Sequence, residues 1–199
     1  ATGELDRSVR FAAALGHRFA DLPESALEGA GNFRYVAGGQ SQIDADIDAE
    51  ALVLDALGRA LPQMERLRGQ VNGPLSLEGP LSDLALEVEL ETSAGPVAAN
   101  GRFDLSGTAP RFVLEGDIAD FRLDRLIDGL EETSLTGRFA IESAESDSGT
   151  VVRADLDEGR VGPVDLYRGV ARLRIDDGLA QIDSFYVTAA VGRLEAMGT

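Results

Sequence analysis

Between Leu84 and Gly107 the chain runs LALEVELETSAGPVAANGRFDLSG, with apolar residues at every second position on both sides of a central turn. Leu84, Leu86, Val88 and Leu90 share one side of a strand, and Val97, Ala99, Phe103 and Leu105 share one side of the next. Successive side chains of a strand point to opposite faces, so this spacing predicts half-buried antiparallel β-structure. The fold then depends on what covers the oily face. A second sheet would make a closed sandwich; no cover would leave an open apolar surface.

Repetition sets the next constraint, because a period missed in the sequence misassigns the whole fold. GRFDLSGT at 101–108 returns as GRLEAMGT at 192–199, with weaker copies in GRFAIES at 137–143 and GNFRY at 31–35. A second element, LDAL at 54–57, returns as LDRL at 123–126, and a looser copy starts at Leu5. Leu54 and Leu123 stand 69 residues apart, and Gly69 and Gly137 stand 68 apart. Asp6, Asp55 and Asp124 each occupy an N-cap position before a helix-like stretch, the first being RSVRFAAALGHRF. The predicted unit is therefore a strand, a short helix and several strands opened by glycine.

Turn signals such as VAGGQ, NGPL, SAGP, ESDSG and DDGL separate about ten strands joined mostly as hairpins, with bulges expected near Gly169 and Ser184. Pro74, Pro80, Pro96, Pro110 and Pro163 all fall at turn-like places. The expected architecture is mainly β: an elongated antiparallel sheet with short interspersed helices. Residues 1–30 are expected as a separate N-terminal segment with an amphipathic helix that could cap one end, and 31–199 as the repetitive β segment. A first residue other than Met, and a closing MGT where the similar SGT at 106–108 runs on toward another strand, predict a piece of a longer chain.

Acids outnumber bases 35 to 18, a net charge of -17 that disfavours binding to nucleic acid phosphates. No window approaches the roughly 18 consecutive apolar residues of a membrane helix. The absence of cysteine removes thiolate metal sites and thiol nucleophiles together. Asp44, Asp46, Asp48 and Glu50 alternate like the start of a calcium loop, but the loop's glycine and spaced glutamate are missing. On a strand they line the wet side, opposite Ile43, Ala45, Ile47 and Ala49. His17 is the only histidine, with no nucleophile or orienting partner nearby in sequence. No phosphate-binding, hydrolase or zinc signature occurs. An enzyme is not expected, nor any cofactor.

The segments GPVAANGRFDLSGT, LEGDIADFRLDRLI followed by SLTGRFAIES, and YRGVARLRIDDGLAQIDSFYVTAAVGRLEAMGT resemble the repeating units of the AsmA/TamB superfamily, closest to its translocation and assembly module branch. The likeness covers most of 40–199. It implies a long periplasmic protein of the bacterial envelope, held in the inner membrane by an anchor outside this chain. It implies a taco-like β-groove that shields phospholipid acyl chains in transit between inner and outer membranes. A role in outer-membrane protein assembly with a barrel partner is also implied. Parity alone then nominates the lining: Leu84, Leu86, Val88, Leu90, Val97, Phe103, Leu105, Phe112, Leu114, Phe139, Ile141, Leu173, Ile175, Ile182 and Val187. Two other readings stand beside it. One is an assembly scaffold acting through β-strand augmentation at exposed sheet edges; the other is a sealed β-sandwich or β-helix.

Overall fold

A computed structural model describes residues 7–17, 24–35, 40–56, 66–107, 109–144, 149–176 and 179–198. Its strands are β1 (Arg7–His17), β2 (Ser25–Tyr35), β3 (Gln42–Val53), β4 (Gln70–Pro80), β5 (Leu84–Thr92) and β6 (Gly95–Asp104). They continue as β7 (Arg111–Phe121), β8 (Thr133–Ser143), β9 (Gly149–Val161), β10 (Val164–Asp176), β11 (Leu179–Ala189) and β12 (Gly192–Met197). All twelve form a single antiparallel sheet whose spatial order is the chain order, and β1 is not paired with β12. The sheet is therefore open. At the usual spacing it extends about 53 Å across its strands.

The helix expected over RSVRFAAALGHRF is absent: 7–17 is the edge strand β1, paired with β2 from Arg7↔Tyr35 to His17↔Ser25. The run of alanines carries high helix propensity, but Val9, Phe11, Ala13 and Leu15 also alternate, and pairing along a full neighbouring strand overrides the weak local preference. The boundary expected at residue 30 falls inside β2, so the described part of 1–30 begins the same sheet. Helix is confined, among the described residues, to one turn at 54–56 and a 3₁₀ turn at Leu123–Arg125. Pro74 and Pro96 lie inside β4 and β6 rather than in turns. The ladder from β4 to β5 passes from Asn72↔Glu91 to Leu75↔Val88, leaving Pro74 unpaired on the side where its missing N–H would matter.

The repeat is real in the backbone. Ala51 and Asp120, 69 residues apart, both adopt φ of +50°, and each sits in a bulge at the corresponding place of β3 and β7. The bulge amides are capped alike: Ala51 donates to the Asn72 side chain at 2.6 Å, and Asp120 donates to the Thr136 hydroxyl at 3.1 Å. The counterpart of Gly137 is therefore Gly73, which follows the capping Asn72 as Gly137 follows Thr136, and not Gly69. A further bulge separates Arg172↔Ser184 from Leu173↔Ile182, and another interrupts β10 between Leu166 and Arg168, two residues before the position expected.

Left-handed backbone costs an alanine roughly 1–2 kcal/mol, while asparagine and aspartate tolerate it. Ala51→Gly should thus raise stability by about 0.5–1 kcal/mol after the glycine's own entropy cost. Asp120→Gly should gain less. Urea unfolding midpoints of the two variants would check the ordering.

Candidate functional site

Directly opposed residues of adjacent strands share a face, so the register traces which side chains line up across the sheet. One row runs Ala13, Gly29, Ile47, Leu75, Val88, Ala99, Gly116, Phe139, Ala154, Ala171, Phe185 and Ala196, one residue from each strand. None is polar. The adjacent row, Phe11, Gly31, Ala45, Leu77, Leu86, Gly101, Leu114, Ile141, Val152, Leu173 and Ile182, is equally apolar. Leu90, Val97, Ile118, Leu156, Val187 and Leu194 continue the face on one side of these rows. On the other side Leu84, Phe103 and Phe112 follow in register, with the Phe103 and Phe112 rings stacked at 5.7 Å.

The nominated residues fall on this one face, with a single displacement. Leu105 lies beyond the end of β6, its amide donating to the Leu81 carbonyl at 2.7 Å, and it is 44% exposed. Leu84 and Val187 are buried, and Ile175 and Ile182 are exposed; the other nominated strand residues are half-buried. Parity missed Leu75, Leu77, Val152, Ala154 and Leu156. QVNGPLSLEGP and TVVRADLD alternate over part of their length as LALEVEL does, but the glycines and prolines of the first read as turn signals.

Among the described residues no second layer lies on the face. The protein exposes 12979 Å², against about 9,000 Å² for a compact chain of its mass. No large side chain among the described residues is less than 2% exposed. The two faces nevertheless differ where like can be compared with like: Ala99 on the apolar face is 8% exposed, whereas its neighbour Ala98 on the other face is open. The glycines differ in the same sense. A Cβ added at Gly31, Gly73, Gly101, Gly116 or Gly137 would stand 2.3–2.5 Å from a backbone oxygen of the adjacent strand. All five belong to the apolar face.

The opposite face is charged. Asp44, Asp46, Asp48 and Glu50 are exposed there, as the solvated-strand reading expects. Among the described residues no group of acids and histidine could hold a metal ion. Ion pairs on this side, such as Arg102 with Asp83 of the β4–β5 turn at 2.6 Å and Arg153 with Glu142 of the neighbouring strand at 2.6 Å, add little stability. An open depression of about 730 Å³ lies beside residues of this side such as Ala12, Glu28, Asp46 and Asp48, with Ala13, Gly29 and Ile47 of the apolar rows also in its lining. His17 ends β1.

At one end of the strands the β3–β4 and β7–β8 connections meet over the β5–β6 turn. Leu67 bridges Ile127, and the Arg68 amide donates to the Leu126 carbonyl at 2.9 Å. Beneath this strap Ala94 is 2% exposed. Asp124 caps no helix, since the N-cap of the 3₁₀ turn is Arg122, and the helix expected after Asp55 lies, from residue 57 on, outside the described residues. The Asp124 carboxylate instead accepts from the Thr133 amide at 2.8 Å, the Thr133 hydroxyl at 2.9 Å and the Arg122 guanidinium at 3.2 Å. The Arg122 hydrogen bond and then the Thr133 amide hold its carboxyl far below the ordinary carboxylate range. Asp55 accepts the Gly69 amide at 2.9 Å, the corresponding role in the first repeat. Asp6 lies outside the described residues.

No protein-family model, no curated protein and no solved structure matches the chain. No helix among the described residues is long and apolar enough to cross a membrane.

Proposed function

We propose that the chain is a segment of a periplasmic conduit in which the apolar face, curled into an open groove, shields phospholipid acyl chains between the inner and outer membranes. The observation that carries this reading is the row from Ala13 to Ala196, which crosses every strand without a polar residue. The glycines support the curl. A strand bent sharply crowds its concave side, and the side on which a Cβ would strike the neighbouring backbone is the apolar one.

The physics of such a groove is permissive. Seven strand residues span about 23 Å, near the length of an extended acyl chain. Each buried CH₂ gains about 0.8 kcal/mol over water. Because the rows repeat Gly, Ala, Leu, Val and Phe without a polar interruption, successive positions along the sheet differ little in energy, and a chain can move without meeting a deep trap. Headgroups stay at the open rim. The motif likeness to the AsmA/TamB superfamily points the same way. From it alone come an inner-membrane anchor, a barrel partner in the outer membrane, and a periplasmic setting.

Native mass spectrometry with lipid extraction tests the reading on protein purified from bacterial cells. The parent should retain phospholipid, and Val88→Glu combined with Leu114→Glu should lose it while circular dichroism stays that of the sheet. Glu89→Leu, on the charged face, controls for general disturbance and should retain lipid. A parent free of lipid even after incubation with phospholipid, or a folded double variant that keeps the same lipid, would overturn the proposal.

A further inference from the structure

We infer that the stretch of the groove over β3, β4 and β5 filters lipids by headgroup charge, accepting zwitterionic or uncharged headgroups and disfavouring those with a net negative charge. This rests on the groove reading and adds to it the class of lipid the groove takes. On the apolar face no cross-strand pair from β2 to β12 contains a charged residue. Its paired polar residues are hydroxyls close to strand ends: Thr92, Thr133, Ser143 and Thr150. Three of these are already engaged. The Thr92 hydroxyl donates to the Gly95 carbonyl at 2.7 Å, the Thr133 hydroxyl donates to the Asp124 carboxylate at 2.9 Å, and the Ser143 hydroxyl accepts the Phe112 amide at 3.2 Å. Across these pairs the face offers a lipid phosphate no cation.

What lies behind the face changes along the sheet. β3 exposes Asp44, Asp46, Asp48 and Glu50, β4 exposes Glu78, and β5 exposes Glu87, Glu89 and Glu91, while none of the three strands contains an arginine or lysine. None of these acids joins an ion pair among the described residues. β8, β9 and β10 together carry six arginines and six acids, with pairs such as Arg160–Asp165 at 3.1 Å. A uniform apolar face is thus backed by eight uncompensated carboxylates at one stretch and by balanced charge at another. Side chains on opposite faces are about 10 Å apart, the spacing of packed sheets. The Debye length is about 30 Å at 0.01 M salt and about 3 Å at 1 M. In dilute salt the carboxylates therefore act together on a phosphate crossing β3 to β5, with no arginine on its own side to offset them. A headgroup that carries an ammonium beside its phosphate has no net charge and feels little of this field.

Competition for the groove tests this. The protein is incubated with vesicles of equal parts phosphatidylethanolamine and phosphatidylglycerol bearing the same acyl chains, and the retained lipid is extracted and weighed by mass spectrometry. Both lipids come from one vesicle, so repulsion between vesicle and protein affects them alike. At 0.01 M salt phosphatidylethanolamine should exceed phosphatidylglycerol about fivefold, and at 1 M salt the two should be nearly equal. The variant Asp46→Asn, Asp48→Asn, Glu87→Gln, Glu89→Gln should lose at least half of the low-salt preference while retaining as much lipid in total. Those substitutions relieve like-charge repulsion between neighbouring strands and so do not weaken the sheet. Equal uptake of the two lipids at low salt, or a preference that persists at 1 M salt or in the variant, would overturn the inference and leave the groove standing. Uptake of neither lipid would overturn the groove reading as well.

Discussion

Gly101→Val should cost about 3 kcal/mol or more and leave little folded protein at 37 °C. The new Cβ would stand 2.3 Å from the Val113 carbonyl oxygen and 3.1 Å from the Leu114 Cα, both backbone atoms held in the β6–β7 ladder. Neither can rotate away as a side chain could, so relief requires the two strands to part in the middle of the sheet. Gly101 does not adopt a left-handed conformation, so steric overlap alone carries the effect. The control lies on the other face. At Gly16 the nearest atom to an added Cβ is the end of the Glu24 side chain at 3.7 Å, and Gly16→Val should be neutral or slightly stabilising, since valine favours strands. Urea denaturation of the two variants compares them directly. Equal costs would mean that the apolar side is no more crowded than the charged one, and would remove the main support for a sheet bent toward it.

The second large effect is expected at Asp124→Ala, about 2–4 kcal/mol. The substitution strands the Thr133 amide and a hydroxyl on a residue only 6% exposed, and it removes the carboxylate that fixes Arg122. Asp55→Ala, which among the described residues orphans the Gly69 amide, should cost nearer 1 kcal/mol. The pH dependence has a definite sign. The folded carboxyl titrates below its ordinary value of 3.8, so its contribution is complete above that value and is lost as pH falls toward the folded pKa. Asp124→Asn keeps an acceptor but not the charge. Its stability deficit relative to the parent should therefore be widest above about pH 5 and shrink on acidification. A deficit that stays constant from pH 7 to pH 3 would mean that the charge on Asp124 plays no part.

The rows of the apolar face were largely legible in the sequence because period two is a property of the strand itself. Leu84 through Leu90 and Val97 through Phe103 needed no tertiary information to be placed on one side. Leu105 obeys the same parity and fails only because the ladder stops at Asp104, where the chain turns away and the Asp104 carboxylate accepts the Ser106 amide at 2.9 Å. β1 was misread for the opposite reason. Its alanines speak for a helix locally, and only pairing with β2, which no local pattern announces, decides for a strand. The repeat was visible as a spacing of 69 between Leu54 and Leu123. Its structural content was not: the left-handed Ala51 and Asp120 share no side-chain chemistry, and their equivalence lies in a backbone bulge and in the caps Asn72 and Thr136. The strap at Leu67 and Ile127 was equally hidden, since it joins connections 60 residues apart.

Chain order and sheet order coincide throughout this protein, and that has a consequence for how it forms. No strand waits for a distant partner, so each hairpin can close soon after its second strand exists, with none of the long-loop entropy that slows sandwiches and barrels. Growth can start at any hairpin and spread to both sides, in the manner of a linear array with nearest-neighbour coupling. Dissolution follows the same line in reverse. In this stretch of chain taken by itself, β1 and β12 have a paired neighbour on one side among the described residues and open first, while the strands under the strap from β4 to β7 open last. Amide protection measured by hydrogen exchange should therefore rise from both ends of the chain toward its middle, a gradient that follows position in the sequence and not depth of burial.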